Sequence, residues 1–144
     1  LMAPGGVEER ETYFRMEGIV RMVETFAKGP MGPVEMRHVM SLQVFDPSML
    51  DDTIINERSA IAPSQPANLF STMMVPNMTA RLHELKAPIF GFWGTDDKFN
   101  PHSGALKVIE NAPNARMILL NRCGHWVQVE HSDLLLCQEI KVSG

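Results

Sequence analysis

These 144 residues contain few cysteines, carry little net charge and lack long apolar runs, and each of these features excludes a class of structure or function. Two cysteines, Cys123 and Cys137, cannot build a disulfide framework, so we expect a reducing, cytoplasmic setting. A net charge of −4 is a poor match for phosphate backbones, and nucleic-acid binding is therefore not expected. The longest clean apolar run, at 89–93, is far too short to cross a bilayer. With 44% apolar residues, the chain is still rich enough to build a core.

The first half of the chain has helical periodicity, and the second half has short continuous apolar runs. We predict helices at 11–28, 34–45, from Asp51 or Asp52 to 61, 67–74 and 79–85. Apolar runs at 89–93 and 117–120 predict buried parallel strands, a helix at 103–111 joins them, and a last helix begins near His131.

Two strands alone make a poor sheet, so the second half is expected to be part of a larger α/β sheet. Residues 1–6 look like the end of another strand, and a chain that opens in mid-strand suggests a fragment or a processed piece. No signal peptide is visible. The predicted organisation is therefore a strand end at 1–6, a helical lid at 7–85 and an α/β core at 86–144.

Polar residues follow both predicted strands, where α/β folds place their sites. Asp96 and Asp97 follow the first strand, and His125 follows the second, 28 residues after Asp97. That spacing is about one helix-plus-strand crossover, so Asp97 and His125 could meet as the orienting acid and general base of a nucleophilic triad. Gly124 would supply a sharp turn before the histidine. Alternatively, the aspartates are turn and capping residues, and the histidine is satisfied by a backbone carbonyl.

These motifs also carry a family resemblance. GTDDKFNP at 94–101 and NRCGHWVQVEH at 121–131 resemble the acid loop and the histidine loop of α/β-hydrolases. More narrowly, they resemble those of the meta-cleavage product hydrolases, which hydrolyse carbon–carbon bonds in aromatic and steroid degradation. Residues 1–6 are similar to the end of that family's sixth strand, and the helices up to about Met78 resemble its lid. The resemblance covers nearly the whole chain and implies an α/β-hydrolase fold, C-terminal part only.

The resemblance also implies roles for four residues. Asp97 would be the triad acid and His125 the base, while Arg58 falls where the family keeps a lid arginine for the substrate carboxylate. Trp126 matches a tryptophan that lines the substrate pocket. A solvated arginine and a simple core tryptophan are the alternatives. The resemblance implies a small-molecule substrate, no metal and no organic cofactor. A homo-oligomer, or pairing with a missing N-terminal part, is also expected.

One part of the family pattern is missing. No serine has glycine at both −2 and +2, the frame of the usual nucleophile elbow, and Ser103 lacks that frame. The nucleophile would therefore come from outside these residues, and the tail at 134–144 fits the family's last helix poorly. Other hypotheses are an esterase or epoxide hydrolase of the same superfamily, and an inactive module completed by another polypeptide. Cys123, His125 and His131 give only a weak zinc signal.

Overall fold

The computed structural model describes residues 1–65 and 75–134. Residues 7–85, predicted above to form a lid, are called the lid below. Short 3-10 helices in this range cover Pro47–Met49, Ala62–Ser64 and Thr79–Glu84. The helices are α1 (Arg10–Tyr13), α2 (Glu17–Ala27), α3 (Pro33–Ser41), α4 (Asp52–Ile61), α5 (Ser103–Asn111) and α6 (Val127–Glu130), and the strands are β1 (Ile89–Gly94) and β2 (Ala115–Leu120). Within the described ranges no helix combines the length and the apolarity that crossing a membrane requires.

Strand β1 is the central strand of the described sheet. It pairs in parallel with β2, and α5 connects the two, so the predicted βαβ unit is confirmed. Phe92 pairs with Ile118 on one side and forms a parallel bridge with Met2 on the other. Residues 1–3 therefore run along the far edge of β1, which agrees with the strand end predicted at the start of the chain.

The sheet core forms where α5 packs against β1. Trp93 and Val108 are fully buried, and the indole nitrogen of Trp93 donates a hydrogen bond to the Asn100 carbonyl at 3.0 Å. Burial of β1 was predicted from its unbroken apolar run; it is complete over residues 91–94, whereas Ile89 and Phe90 are half-buried. The same prediction was wrong for β2, because Leu119 remains 43% exposed on the outer strand of the described sheet.

A second apolar cluster lies among the lid helices. Met40, Val44, Leu50 and Ile55 are buried together, and Trp126 packs against them from the histidine loop. The Asp51 side chain accepts a hydrogen bond from the backbone amide of Ile54 at 2.9 Å and caps α4, as predicted. The lid thus has its own small core, and Trp126 joins that core to the sheet.

Two predicted helices differ in extent because their residues bond to the loops after the strands. The helix predicted at 11–28 is divided into α1 and α2. The amide of Gly18 donates to the Lys98 carbonyl at 2.7 Å, so α2 begins where it meets the loop after β1. The helix predicted at 34–45 ends at Ser41. Beyond it, the Gln43 carbonyl accepts a hydrogen bond from the Trp126 amide in the loop after β2, and the Phe45 amide donates to the Glu130 carboxylate on α6.

The predicted last helix begins earlier than expected. Helix α6 starts at Val127, directly after the histidine loop, and residues 132–134 are helical again after a turn at His131. The helix predicted at 67–74 and the tail beyond residue 134 lie outside the described residues.

Candidate active site

Asp97 holds the loop after β1 in shape with one carboxylate oxygen and contacts His125 with the other. Its Oδ1 accepts hydrogen bonds from the backbone amides of Phe99 at 2.7 Å and Asn100 at 2.9 Å. Its Oδ2 lies 2.9 Å from Nδ1 of His125. The Asp97 side chain is completely buried. The sequence left open whether Asp97 shapes the turn or contacts the histidine. In the structure it does both, with a different carboxylate oxygen for each role.

The loop after β1, residues 95–100, is tied to the loop after β2, residues 121–126. The amide of Thr95 donates to the Leu120 carbonyl at 2.8 Å, and the amide of Asp96 donates to the Cys123 carbonyl at 3.0 Å. The Asp96 carboxylate accepts a hydrogen bond from the Thr95 hydroxyl at 3.1 Å and is exposed. These backbone bonds hold the two loops side by side, which is why Asp97 reaches the histidine.

The contact with Asp97 determines which ring nitrogen of His125 carries the proton. An ionised carboxylate can only accept a hydrogen bond, so in the neutral imidazole Nδ1 donates and Nε2 keeps its lone pair. The His125 side chain is 26% exposed, and its ring lies 5.5 Å from that of Phe99, centroid to centroid. An imidazole held in this tautomer, and still partly accessible, has what a general base needs.

The prediction that Gly124 supplies a sharp turn before the histidine was wrong. The left-handed backbone conformation in this loop is adopted by Arg122, with φ of 53°. A side chain at position 124 would instead place its Cβ 2.7 Å from the Gln43 carbonyl oxygen. Glycine is therefore required here because the lid backbone approaches the histidine loop closely.

The structure brings Arg58 and Trp126 together. The guanidinium carbon of Arg58, on α4, lies 5.8 Å from the centroid of the Trp126 ring, within the range of a cation–π contact. Arg58 is exposed, and Trp126 is half-buried against the lid cluster. An arginine of the lid thus rests on the side chain adjacent to His125 in the sequence.

Cys123 is a buried, neutral thiol. Burial raises its pKa to about 12, and the nearby Glu130 carboxylate, whose oxygen the thiol contacts, contributes to the increase. Since the thiolate is the form that binds metal, this environment disfavours a zinc site at Cys123. Across residues 1–65 and 75–134, no cluster of three or more histidine, cysteine or acidic side chains is arranged to hold a metal ion.

Ser103 is occupied elsewhere. Ser103 begins α5, and its hydroxyl donates a hydrogen bond at 2.7 Å to Glu8, which is also paired with Lys107. This hydroxyl therefore connects the lid to α5.

Sequence reasoning missed the residues that attach the lid to the two loops. They are Gly18, Gln43, Phe45 and Glu130. Most of these contacts use backbone atoms, which are the same in nearly all residue types and so cannot be recognised in a sequence. Glu130 offered one usable signal, because it is an acidic residue on the first turn after the histidine loop.

No protein-family model matches the chain, whereas curated proteins do. A 2-hydroxy-6-oxononadienedioate/2-hydroxy-6-oxononatrienedioate hydrolase of Comamonas testosteroni is 32% identical over 142 residues, which cover 92% of this chain and 49% of that protein. A 2-hydroxy-6-oxo-6-phenylhexa-2,4-dienoate hydrolase of Burkholderia cepacia matches with the same identity and coverage. The chain therefore spans about half the length of the curated relatives it matches, and it corresponds to their C-terminal half.

Solved structures show the same relationship at the level of the fold. A serine hydrolase from the polyaromatic hydrocarbon-degrading bacterium Cycloclasticus zankles gives a TM-score of 0.75 at 23% identity, over 94% of this chain and 50% of that one. A meta-cleavage product hydrolase from Pseudomonas fluorescens IP01 gives 0.73 at 21% identity, over 100% of this chain and 55% of that one. The predicted α/β-hydrolase fold, present in part, is confirmed, as is the resemblance to the meta-cleavage product hydrolases.

Proposed function

We propose that this chain supplies the lid and the acid–histidine pair of a serine hydrolase that cleaves a carbon–carbon bond in a 2-hydroxy-6-oxo-dienoate. The observation that carries the proposal is the 2.9 Å contact between Asp97 Oδ2 and His125 Nδ1, formed at the carboxyl ends of two neighbouring parallel strands. The names of the curated relatives support the substrate class.

In this proposal His125 moves protons and Asp97 orients it. Nε2 removes the proton from the nucleophile or from water, and the imidazolium that results is stabilised by the buried Asp97 carboxylate. The same nitrogen then returns a proton to the dienolate that leaves. The pair by itself performs no triad catalysis, because a base needs a hydroxyl to activate.

The substrate class explains why a proton-transferring histidine is required twice. The dienol first becomes a ketone, as the hydroxyl proton moves to the carbon joined to the 6-oxo carbon, and the bond between these two carbons is the one to be cut. Water then cleaves that bond: its hydroxyl ends on the acyl carbon, the bonding electron pair passes into a dienolate, and the remaining proton of the water ends on the oxygen of that dienolate. The products are a carboxylic acid and a 2-hydroxydienoate, and no external oxidant or reductant is involved.

Arg58 and Trp126 are proposed to bind the substrate. The Arg58 guanidinium rests on the Trp126 ring, from which it can reach a carboxylate and pair with it in a bidentate manner. Trp126 packs on the apolar lid cluster and would present its ring as a wall of the pocket. Both residues adjoin the histidine loop, so a carboxylate held there would lie near the base.

The nucleophile is proposed to come from outside these 144 residues, either from a further segment of the same protein or from a second polypeptide. The division into a strand end at 1–6, a lid at 7–85 and an α/β core at 86–144 belongs to this proposal. A homo-oligomeric state and a cytoplasmic location remain predictions.

The test is carried out on the active assembly, meaning this chain together with whatever supplies its nucleophile. We expect hydrolysis of a carboxylate-bearing 2-hydroxy-6-oxo-dienoate, which is measured as the loss of its visible absorbance. Arg58→Ala should reduce kcat/KM for this substrate by about 100-fold, while a plain ester is affected less than about threefold. Arg81→Ala, which removes an arginine paired with Glu84 on the surface, is the matched control.

Two results would contradict the proposal and favour another function. An equal loss on the ester and the dienoate in Arg58→Ala would favour a general esterase in which the arginine is incidental. Absence of any hydrolysis that depends on His125, in an assembly that contains a serine elbow, would support a non-catalytic module.

A further inference from the structure

His125 is flanked by two residues whose backbone amides are connected to the lid, one directly and the other through the Glu130 side chain on α6. On one side, the amide of Trp126 donates to the Gln43 carbonyl at 3.0 Å. On the other side, the amide of Gly124 donates to Glu130 Oε1 at 2.7 Å. The second oxygen of the same carboxylate, Oε2, accepts a hydrogen bond from the amide of Phe45 at 2.6 Å.

The Glu130 carboxylate therefore bridges the lid and the histidine loop. Hydrogen bonds from amides to a charged carboxylate are roughly twice as strong as bonds between neutral groups. The contact is reinforced nearby, since the Arg122 guanidinium lies 5.4 Å from the centre of the Phe45 ring. The close approach of the lid backbone to Gly124 leaves little room for either segment to shift alone.

We propose that Glu130 is a positioning residue that fixes His125 by clamping lid residues 43–45 to the histidine loop. The proposal rests on the proposed function of His125 as the base. Removing the carboxylate leaves two amides without their acceptor, one on each side of the interface. The loop that carries the imidazole would then relax, and a displacement of about 1 Å in a reacting group can cost up to ~100-fold in rate.

The clamp is tested first without any substrate. In the intact protein, amide hydrogen exchange at Phe45 and Gly124 is compared between wild type, Glu130→Ala and Glu130→Gln. We expect at least a ~10-fold faster exchange at both amides in Glu130→Ala, because both lose their acceptor. In Glu130→Gln, the remaining amide oxygen can accept from only one of them, so one amide stays protected. Glu110→Gln, at an exposed position of α5, should change neither amide.

A second experiment tests whether Glu130 affects catalysis through His125. In the active assembly, Glu130→Ala should lower kcat about 10-fold while KM changes by less than about twofold, and Glu130→Gln should give an intermediate kcat. In a His125→Ala background, Glu130→Ala should cause no further loss of kcat, because the residue to be positioned is already gone. A purely structural role would instead lower the melting temperature without this dependence on the background.

Failure of this inference can be told apart from failure of the proposed function. Unchanged exchange at Phe45 and Gly124 in Glu130→Ala, or an undiminished further loss of kcat in the His125→Ala background, would overturn the clamp. Faster exchange at both amides in a protein that hydrolyses no substrate would support the clamp and refute the hydrolase proposal.

Discussion

The Asp97 carboxylate contacts His125 Nδ1 through Oδ2 at 2.9 Å while its other oxygen accepts two backbone amides of its own loop. The two oxygens of this carboxylate therefore have different roles. The loop hydrogen bonds fix the orientation of the carboxylate, and the carboxylate in turn fixes the tautomer of the imidazole. The geometry of the base is therefore set by backbone groups two and three residues after Asp97 in the sequence.

Asp97→Asn separates the two tasks of this side chain. The asparagine oxygen can still accept from Phe99 and Asn100, so the loop should keep its shape. Its amide group would then face Nδ1 of His125 as a donor and would favour the wrong tautomer. We expect kcat of the active assembly to fall about 10³- to 10⁴-fold with little change in the melting temperature.

Asp96→Asn is the control for that substitution, because Asp96 is an exposed neighbour on the same loop. It should retain kcat within about threefold. A comparable loss in both variants would mean that the charge of the loop, rather than the contact with His125, supports the activity.

Gly18→Ala should disturb the loop that carries Asp97. A Cβ at this position would lie 2.7 Å from the Lys98 carbonyl oxygen and 2.7 Å from the Phe99 ring, both of which are part of that loop. Relieving these contacts should cost about 1–3 kcal/mol in the free energy of unfolding, measured by urea denaturation.

Gly5→Ala provides the comparison. Its Cβ would meet only a side-chain carbon of Val75, at 3.6 Å, which is an ordinary van der Waals contact. We expect a change below about 0.5 kcal/mol. Equal destabilisation by the two substitutions would show that α2 does not depend on a close approach at Gly18.

Sequence patterns predicted the parts of this fold whose signals are local. The unbroken apolar run of β1, the periodicity of α5 and the Asp51 cap each belong to one segment, and each is found at or within a residue of the predicted place. The crossover length also indicated that Asp97 and His125 could meet, because α5 returns the chain to the strand beside β1. These inferences needed no information from distant residues.

The lid contacts could not be predicted in the same way. The chain at the end of α3 and at the start of α2 makes hydrogen bonds to residues more than 75 positions away: the Gln43 carbonyl accepts from Trp126, and the amides of Phe45 and Gly18 donate to Glu130 and Lys98. Carbonyl and amide groups are present in nearly every residue, so such contacts have no signature in the sequence. Gly124 illustrates the limit, since a glycine required for close approach looks the same as one required for a turn.

The buried thiol of Cys123 makes stability depend on pH in the alkaline range. Burial raises its pKa in the folded protein from an ordinary 9.0 to about 12. The folded state thus holds the proton more tightly than the unfolded state, so this stabilisation is complete below pH 9 and is lost as the pH rises towards 12. We expect wild type to lose on the order of 1 kcal/mol per pH unit more than Cys123→Ala over that interval.

The comparison of slopes isolates the thiol, because lysines, tyrosine and Cys137 titrate in both proteins. The cavity left by Cys123→Ala lowers stability at every pH and does not alter the slope. Peptide-resolved alkylation at pH 8 gives a second measure, in which Cys123 should react at least ~100-fold more slowly in the native than in the unfolded protein. Rapid alkylation of Cys123 in the folded protein, or equal slopes in the two variants, would contradict a buried neutral thiol beside Glu130.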